Sequence, residues 1–283
     1  MSDEPRGRVL CITSNFPRWA GDNTTPFIMH LAQDLRALGW AVDVLAPHAP
    51  GAALRETLGG IHVERFRYFW PEALESVCYQ GGALANLRRN PFNKLKLPLL
   101  VLCEWAGLFR RLRRDRYDLL HSHWVLPQGF TGALAAGPRR IPHVTTVHGS
   151  DVLALDGPVI NRFKSFALRC ADVVTANRSA TRQAAARLAP DIRNLYTVPM
   201  GVSAECEPNP SRVAALRARY RREAGPLLVF AGRVVIEKGI EDLVSAIGLL
   251  ASRLPDVTAL IVGDGQDRSA IEAMVDGAGL RDR

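Results

Sequence analysis

Two cations five residues apart, Arg233 and Lys238, are the clearest chemical signal in the chain. They lie in a loop between Gly232 and Gly239, after an apolar run at residues 227–231 that is typical of a buried strand and before apolar positions at helical spacing. Open α/β sheets bind ligands at this carboxyl edge of the strands, and the start of the next helix adds N–H groups that favour phosphate. The loop is therefore a candidate phosphate site, with a pair of solvated loop cations as the alternative.

A second turn of the same kind contains Gly263 and Asp264, after an apolar run at residues 259–262. Two strand-loop-helix units in series indicate a parallel sheet. Neither loop has the GxGxxG or the GxxxxGK[ST] spacing, so the sequence gives little support to NAD binding or nucleotide hydrolysis.

Histidines close two further predicted strands. His121 and His123 share one strand face, so a metal must be considered, but no acidic or thiol ligand accompanies them at typical spacing and we predict none. His148 ends the next strand, where it is either a hydrogen-bonded strand end or a ligand contact. Gly149 beside it favours the ligand contact, because glycine lets a ligand approach the backbone.

A βαβ unit is predicted at the N-terminus, with strands at residues 8–12 and 41–45. Thr25 is expected to cap its helix and Pro26 to occupy the first turn. The loop over the carboxyl end of the first strand is formed by Gly21, Asp22, Asn23 and Thr24.

Composition indicates a soluble globular protein of two domains, with 47% hydrophobic and 23% charged residues in 283. We place the domains at residues 1–200 and 201–283. No secretory pattern or membrane span is evident, which predicts a cytoplasmic chain. Five widely spaced cysteines without a CxxC pair predict reduced thiols.

The net charge of +8 is concentrated partly in arginine clusters at residues 110–116 and 212–222. Such clusters usually mark a solvated helix face, but they also suit an anionic membrane surface or a phosphorylated ligand. Nucleic acid is a weaker partner, because no aromatic interleaving or helix-turn-helix pattern accompanies them. A peripheral contact with the inner membrane face follows as an expectation.

Short segments over essentially the whole chain carry a family resemblance through their order and spacing. They are Asn15-Phe16-Pro17, Leu38-Gly39-Trp40, residues 118–123, Val147-His148-Gly149-Ser150-Asp151, residues 198–202, Ala231-Gly232-Arg233, Glu237-Lys238-Gly239 and residues 262–265. Together they make the chain similar to the retaining glycosyltransferases of family 4, also called glycosyl transferases group 1. The resemblance implies an α/β fold of GT-B type, with an N-terminal Rossmann-like parallel-sheet domain on the acceptor side and the first part of a second, nucleotide-sugar-binding one.

The resemblance also implies an activity: transfer of a sugar, with retention, from a nucleotide-sugar donor to a glycan or lipid-linked acceptor in surface polysaccharide or glycolipid synthesis. Arg233 and Lys238 would hold the donor diphosphate and stabilise charge on the departing phosphate, and His148 would lie beside the donor sugar. The remaining implied donor-binding residues are Gly232, Gly263, Asp264 and Gly201. Those implied near the acceptor or diphosphate are Gly21, Asp22, Asn23, Thr24, Asp151 and His123. No metal, cofactor or protein base is implied, because the leaving phosphate oxygen can take the acceptor's proton.

Three segments depart from the family pattern. The first loop lacks a double glycine, and Met200-Gly201-Val202-Ser203 stands where the family commonly has Asn-Gly-Val-Asp. The family continues beyond Gly279-Leu280 to a pair of glutamates seven residues apart, whereas this sequence stops at Arg283. A Rossmann-like domain needs about 150 residues, so we expect a fragment of a longer enzyme with little activity alone.

Two other functions remain open from the sequence. One is a non-catalytic sugar-nucleotide-binding module that needs a partner chain. The other is a GT-B-fold nucleotide-sugar epimerase, which should place acidic and histidine groups around the sugar. A glycosyltransferase would transfer or hydrolyse the sugar of the donor, whereas an epimerase would release an epimerised nucleotide sugar.

Overall fold

The computed structural model describes residues 5–22, 24–79, 81–201, 207–221 and 225–283. The chain divides into two compact units, residues 1–202 and 203–283. Asn23 and Cys206 lie outside the described residues. The four described cysteines, Cys11, Cys78, Cys103 and Cys170, are free thiols, as the sequence predicted.

An eight-stranded sheet forms the centre of the first unit. Its strands are β1 Arg8–Ile12, β2 Ala41–Pro47, β3 Arg55–Leu58, β4 Ile61–Phe66, β5 Leu119–His123, β6 His143–Val147, β7 Val173–Ala176 and β8 Leu195–Thr197. The order across the sheet is β3-β4-β2-β1-β5-β6-β7-β8, and only the edge pair β3 and β4 is antiparallel. The parallel, Rossmann-like sheet predicted from the sequence is therefore confirmed.

Seven α-helices are described in this unit. They are α1 Pro26–Ala37, α2 Ala83–Arg89, α3 Asn93–Arg114, α4 Phe130–Ala136, α5 Ser150–Leu153, α6 Pro158–Cys170 and α7 Ser179–Leu188, with short 3-10 turns at Glu72–Leu74 and Gly137–Arg139. Right-handed crossovers from β1 to β2 and from β4 to β5 run in opposite directions across the sheet, so they place α1 and α3 on opposite faces.

The core follows the two-residue period of β1. Leu10 points to one face, where it packs in a cluster with Leu108 of α3. Cys11 points to the other face, where it packs in a cluster with Ile28 of α1. The central strand is therefore covered on both sides, which explains its continuous apolar sequence.

The start of α1 differs from the predicted cap. Pro26 occupies the first turn as expected, but Thr25 has a φ of 45° and makes no side-chain capping bond. Its hydroxyl is buried without a partner among the described residues. The prediction was wrong because a capping side chain needs an extended backbone, and Thr25 is in the left-handed region.

The second unit contains two strand-loop-helix units in series. Its elements are α8 Pro210–Tyr220, β9 Leu227–Ala231, α9 Ile240–Ala251, β10 Thr258–Val262 and α10 Arg268–Gly277, with a 3-10 turn at Ile236–Lys238. β9 and β10 pair in parallel, as the sequence predicted, with Leu227 opposite Thr258. Ile240, Ile247 and Ile271 form part of the apolar core between the helices and these strands.

Among the described residues of both units, no helix is sufficiently long and apolar to cross a membrane.

Candidate functional site

The order of the first sheet reverses at β1, which has β2 on one side and β5 on the other. Ligands of open α/β sheets bind beyond the carboxyl ends of the strands at such a switch point. The segments that follow β1, β5 and β6 begin there. The predicted site residues Asp22 and His148 lie in the segments after β1 and β6, and His123 is the last residue of β5.

Three histidines lie together at this edge. His123 at the end of β5 and His148 after β6 face each other, with 3.2 Å between His123 Nδ1 and His148 Nε2. Their rings are stacked at a centroid distance of 5.4 Å, and the ring of His121 lies 4.3 Å from that of His123. The structure thus brings together two histidines that the sequence placed on different strands.

Burial keeps these imidazoles neutral. It lowers the pKa of His148 to about 4, with a smaller contribution from His121, and it lowers the pKa of His121 to about 4 as well. The pKa of His123 falls well below its usual value, because of burial first and the neighbouring histidines second. At neutral pH, His148 is therefore a hydrogen-bonding group and not a cation.

Asp151 holds the backbone beside His148. Its carboxylate accepts hydrogen bonds from the backbone N–H of Gly149 at 2.8 Å, of Val125 at 3.0 Å and of His148 at 3.1 Å. Asp151 is buried, and burial raises the pKa of its carboxyl group although these three N–H groups oppose the rise. Asp151, which was predicted as a ligand contact, thus joins the segment after β5 to the segment after β6 through these hydrogen bonds.

The rest of this turn is fixed as well. Asn177, after β7, donates from its side-chain amide to the carbonyl of His148 at 3.0 Å. Gly149 has a φ of 110°, which disfavours any residue with a side chain, and a Cβ there would lie 3.3 Å from Thr181 Oγ1. The position of His148 therefore depends on Asp151 in its own turn and on Asn177 in the segment after β7.

The loop after β1 is closed by its own hydrogen bonds. Asp22 accepts bonds from the Arg18 backbone at 2.9 Å and side chain at 2.8 Å, and from the Thr24 hydroxyl at 2.9 Å. Burial raises the pKa of Asp22, but these partners outweigh it and bring the pKa to about 2. Gly21 is exposed with a φ of 84°, so it serves the turn. A contact of this loop with an acceptor or a diphosphate stays a prediction.

A group with the geometry of a metal site is also present. Cys11, His121 and His123 each offer one ligand atom, and these atoms lie within 4.8 Å of one another. No thiol accompanies the histidines at typical spacing in the sequence, but the pairing of β1 with β5 sets the distant Cys11 opposite His121. Burial raises the pKa of the Cys11 thiol to about 12, and His121 Nε2 already bonds Thr146 Oγ1 at 2.7 Å. That the protein needs no metal stays a prediction.

Two aromatic residues at the site were missed by sequence reasoning. Trp124 lies 4.6 Å from His148 between ring centroids, and Phe27 of α1 lies 5.4 Å from it. Trp124 directly follows His123, so its place at the strand end was a usable signal. The position of Phe27 had no local signal, because it depends on how α1 packs.

In the second unit, the two glycine loops contact each other through their backbones. A Cβ on Gly263 would lie 1.9 Å from the carbonyl oxygen of Gly232, and one on Gly265 would lie 2.0 Å from that of Val234. Val234 N–H also donates to the carbonyl of Asp264 at 3.0 Å. The absence of a side chain at Gly263 is thus explained by loop packing, and its donor contact stays a prediction.

Arg233 and Lys238 are both exposed and lie in the loop that precedes α9. Gly239 has a φ of 71° at the start of that helix, whose first turn carries Glu241 and Asp242. The pair therefore lies at a strand-to-helix turn, as predicted, with two acidic groups nearby. Asp264 is exposed and its carboxylate accepts the N–H of Gly265 at 2.8 Å, and Gly201 is exposed.

Comparison with known proteins gives a family for both units. The model of Glycosyltransferase Family 4 matches residues 25–205, and that of Glycosyl transferases group 1 matches residues 214–283. The chain belongs to glycosyltransferase family 4.

Two curated glycosyltransferases are similar over much of the chain. The putative teichuronic acid biosynthesis glycosyltransferase TuaC of Bacillus subtilis is 31% identical over 93% of this chain and 67% of its own length. The 2-deoxystreptamine glucosyltransferase of Streptomyces kanamyceticus is 33% identical over 60% of this chain and 48% of its own. The chain thus spans about half to two thirds of the length of these curated relatives.

Solved structures give the same fold. HepE of Anabaena, in complex with UDP and glucose, matches 98% of this chain and 68% of its own, with a TM-score of 0.66 and 18% identity. Starch synthase IV of Arabidopsis thaliana, bound to ADP and acarbose, matches 99% of this chain and 73% of its own, with a TM-score of 0.62 and 13% identity. The GT-B-like fold predicted for this family 4 chain is therefore confirmed.

Proposed function

We propose that this family 4 chain supplies the acceptor-side domain and part of the donor-binding domain of a retaining glycosyltransferase. The enzyme moves a sugar from a nucleotide-sugar donor to a glycan or lipid-linked acceptor. The observation that carries the proposal is the neutral imidazole of His148, held through its backbone at the switch point of the sheet.

A neutral His148 suits contact with sugar hydroxyl groups, because a neutral imidazole can donate one hydrogen bond and accept another. The rings of Trp124 and Phe27 pack against the half-buried imidazole. A role as a general acid at neutral pH is disfavoured by its low pKa. His148 therefore orients the donor sugar, and the departing phosphate oxygen takes the acceptor's proton.

Arg233 and Lys238 bind the donor diphosphate in this proposal. Their charges stabilise the negative charge that develops on the departing phosphate, so no metal or other cofactor is required. Gly232 supports them because its N–H bonds the carbonyl of Val262 at 3.0 Å and fixes the start of the loop.

The names of the relatives suggest classes of donor and acceptor for this chain. The relatives include the putative teichuronic acid biosynthesis glycosyltransferase and the 2-deoxystreptamine glucosyltransferase. They also include the GDP-mannose-dependent α-(1-6)-phosphatidylinositol monomannoside mannosyltransferase of Mycolicibacterium smegmatis, which is 32% identical over 68% of this chain and 52% of its own. The cationic surface of this chain favours a cytoplasmic enzyme, peripheral at the inner membrane face, that acts on a lipid or a growing surface glycan.

The test is incubation of the purified chain with UDP-glucose, UDP-N-acetylglucosamine and GDP-mannose, each with and without a lipid extract of the native host. Release of the nucleoside diphosphate and the NMR signal of the anomeric proton are measured. We expect only weak release, because the chain supplies only part of the donor-binding domain in this proposal. His148→Ala should abolish that release, and His30→Ala, a matched change at an exposed histidine of α1, should preserve it. Donor binding without any turnover would favour the binding module, and a nucleotide sugar of altered configuration would favour the epimerase.

A further inference from the structure

The outward side of α3 is apolar over three turns. Leu95, Leu99 and Leu102 are 70%, 42% and 58% exposed and recur at steps of four and three residues, so they share one side of the helix. The opposite side carries Leu100 and Leu108, which are buried in the core. α3 thus has an exposed apolar side in addition to the one that packs on the sheet.

Aromatic side chains extend this surface. Phe92 before the first turn is 49% exposed and Trp105 is 36% exposed. We call Phe92, Leu95, Leu99, Leu102 and Trp105 the α3 stripe.

A further exposed tryptophan lies near the start of the stripe. Trp70 is 82% exposed, in a loop that the buried Lys96 of α3 holds through the carbonyl of Leu74 at 2.8 Å. Leucine with tryptophan and phenylalanine is the composition of helices that lie at the boundary of lipid headgroups and acyl chains.

The charges that α2 and α3 carry around the stripe are almost all positive. Glu104 is the only acidic residue of α2 and α3, and it is 1% exposed. Exposed cations lie at both ends of the stripe, and they are Arg88, Arg89, Lys94, Arg110 and Arg113, whereas Arg114 is paired with Glu64 and Asp115. An apolar stripe with cations at both ends is complementary to an anionic lipid surface.

We propose that α3 lies in the plane of an anionic lipid leaflet, with the stripe among the acyl chains and the arginines and Lys94 at the headgroups. A second copy of the chain fits this surface less well, because packing two stripes together brings basic helix ends against basic helix ends. The biological purpose of this membrane contact rests on the proposed transferase function. Lipid binding itself is a property of the first unit and can be measured without catalysis.

The inner side of α3 connects this surface with the candidate site. Glu104 accepts hydrogen bonds from Thr131 Oγ1 at 2.6 Å and from Gln128 Nε2 at 2.7 Å, in the segment that follows β5. The N–H of Val125 in that segment is held by Asp151, which also holds His148. A bilayer bound at α3 would therefore lie on the helix that supports the loop of the site.

The experiment is co-flotation of the whole chain with vesicles of phosphatidylcholine alone or with 3 parts in 10 of phosphatidylglycerol, at low and at high salt. We expect binding to the anionic vesicles, and an affinity at least about ten-fold lower for Leu99→Asn with Leu102→Asn, because two leucines no longer enter the acyl region. The matched control is Leu38→Asn with Leu249→Asn, two leucines of 60% and 77% exposure elsewhere, which should bind within about two-fold of the parent.

A charge variant and a sedimentation measurement distinguish an anionic lipid surface from the other possible occupants of the stripe. Arg110→Glu with Arg113→Glu should lower binding to the anionic vesicles and reduce its dependence on salt. The proposal is overturned if the parent does not float with anionic vesicles, or if the Leu99 and Leu102 changes weaken binding no more than the control pair. It is also overturned if sedimentation shows a dimer that these changes dissociate.

No sugar donor is present in the flotation assay, so its outcome does not depend on catalysis. Lipid binding without turnover of any donor would contradict the proposed function and leave this inference standing. Sugar transfer by a chain that does not float with vesicles would support the proposed function and contradict this inference.

Discussion

The two candidate site regions are both turns after a parallel strand, but they are built differently. His148 is held in place by backbone bonds to Asp151 and Asn177 and by rings packed against it. Arg233 and Lys238 are exposed side chains on a loop whose backbone is fixed by glycine contacts. Substitutions near His148 should therefore act through the stability of the fold, whereas those at the two cations should act mainly through ligand binding.

The largest effect is expected for Asp151→Ala, which leaves three backbone N–H groups without their acceptor. We expect the free energy of unfolding of the first unit to fall by about 4 kcal/mol, because each such group costs roughly 1–3 kcal/mol when buried. Urea unfolding followed by tryptophan fluorescence measures it, since all five tryptophans lie in residues 1–202. The control Asp264→Ala, at an exposed carboxylate of the other unit, should leave this transition unchanged; an equal loss in both variants would remove the contrast.

A slightly smaller effect is expected from the buried carboxyl group of Glu104. Burial raises its pKa from 4.5 to about 7, against opposing hydrogen bonds from Thr131 and Gln128. The unfolded chain ionises first as the pH rises, so this group makes the fold progressively less stable between about pH 4.5 and pH 7, by about 3 kcal/mol in total.

Glu104→Gln should remove that dependence, because an amide of similar shape does not titrate. The measurement is the difference in free energy of unfolding between the variant and the parent at pH 4.5 and at pH 8, which cancels the other titrating groups. We expect the variant to gain relative to the parent as the pH rises. A difference that is constant with pH would show that the fold does not raise the pKa of Glu104.

For the exposed pair, Arg233→Ala should weaken the binding of UDP about 30-fold, which corresponds to a charge-assisted hydrogen bond of about 2 kcal/mol. Titration calorimetry at low and high salt measures it. The free energy of unfolding should change by less than about 0.5 kcal/mol, as is usual for a surface position. Arg253→Ala, an exposed arginine after α9, is the matched control, and an equal effect of both variants would mean that only net charge matters.

The smallest effect is expected for Asp22→Asn in the loop after β1. The amide keeps one acceptor oxygen but loses the ion pair with Arg18, so we expect a loss of about 1 kcal/mol at pH 7. Because the folded-state pKa of about 2 lies below the ordinary value of 3.8, the loss should shrink as the pH falls below about 4 and disappear only below about pH 2. Fluorescence-detected unfolding at pH 7 and pH 3 checks this, and an unchanged loss at both would exclude the ionised form as its cause.

Much of the fold could be predicted from the sequence, because buried parallel strands have continuous apolar runs and their loops begin with polar residues. His148 could be placed at a strand end for the same reason. The role of Asp151 could not, since one of its partners, Val125, lies 26 residues earlier and is brought near only by the pairing of β5 with β6. The donor contact of Gly263, which the family resemblance implied, stays a prediction, because a sequence pattern does not distinguish a glycine that admits a ligand from one that admits a neighbouring loop.

The contact between Gly263 and the carbonyl of Gly232 determines which substitutions a library of variants of this loop would tolerate. Selection for folded protein alone should already exclude every residue other than glycine at position 263, while most residues survive at position 233. Only a second selection, for nucleotide capture, should restore a preference for arginine at position 233. In this loop, a position that tolerates no substitution is therefore one that the fold requires, whereas a tolerant position such as 233 is the one proposed to bind the ligand.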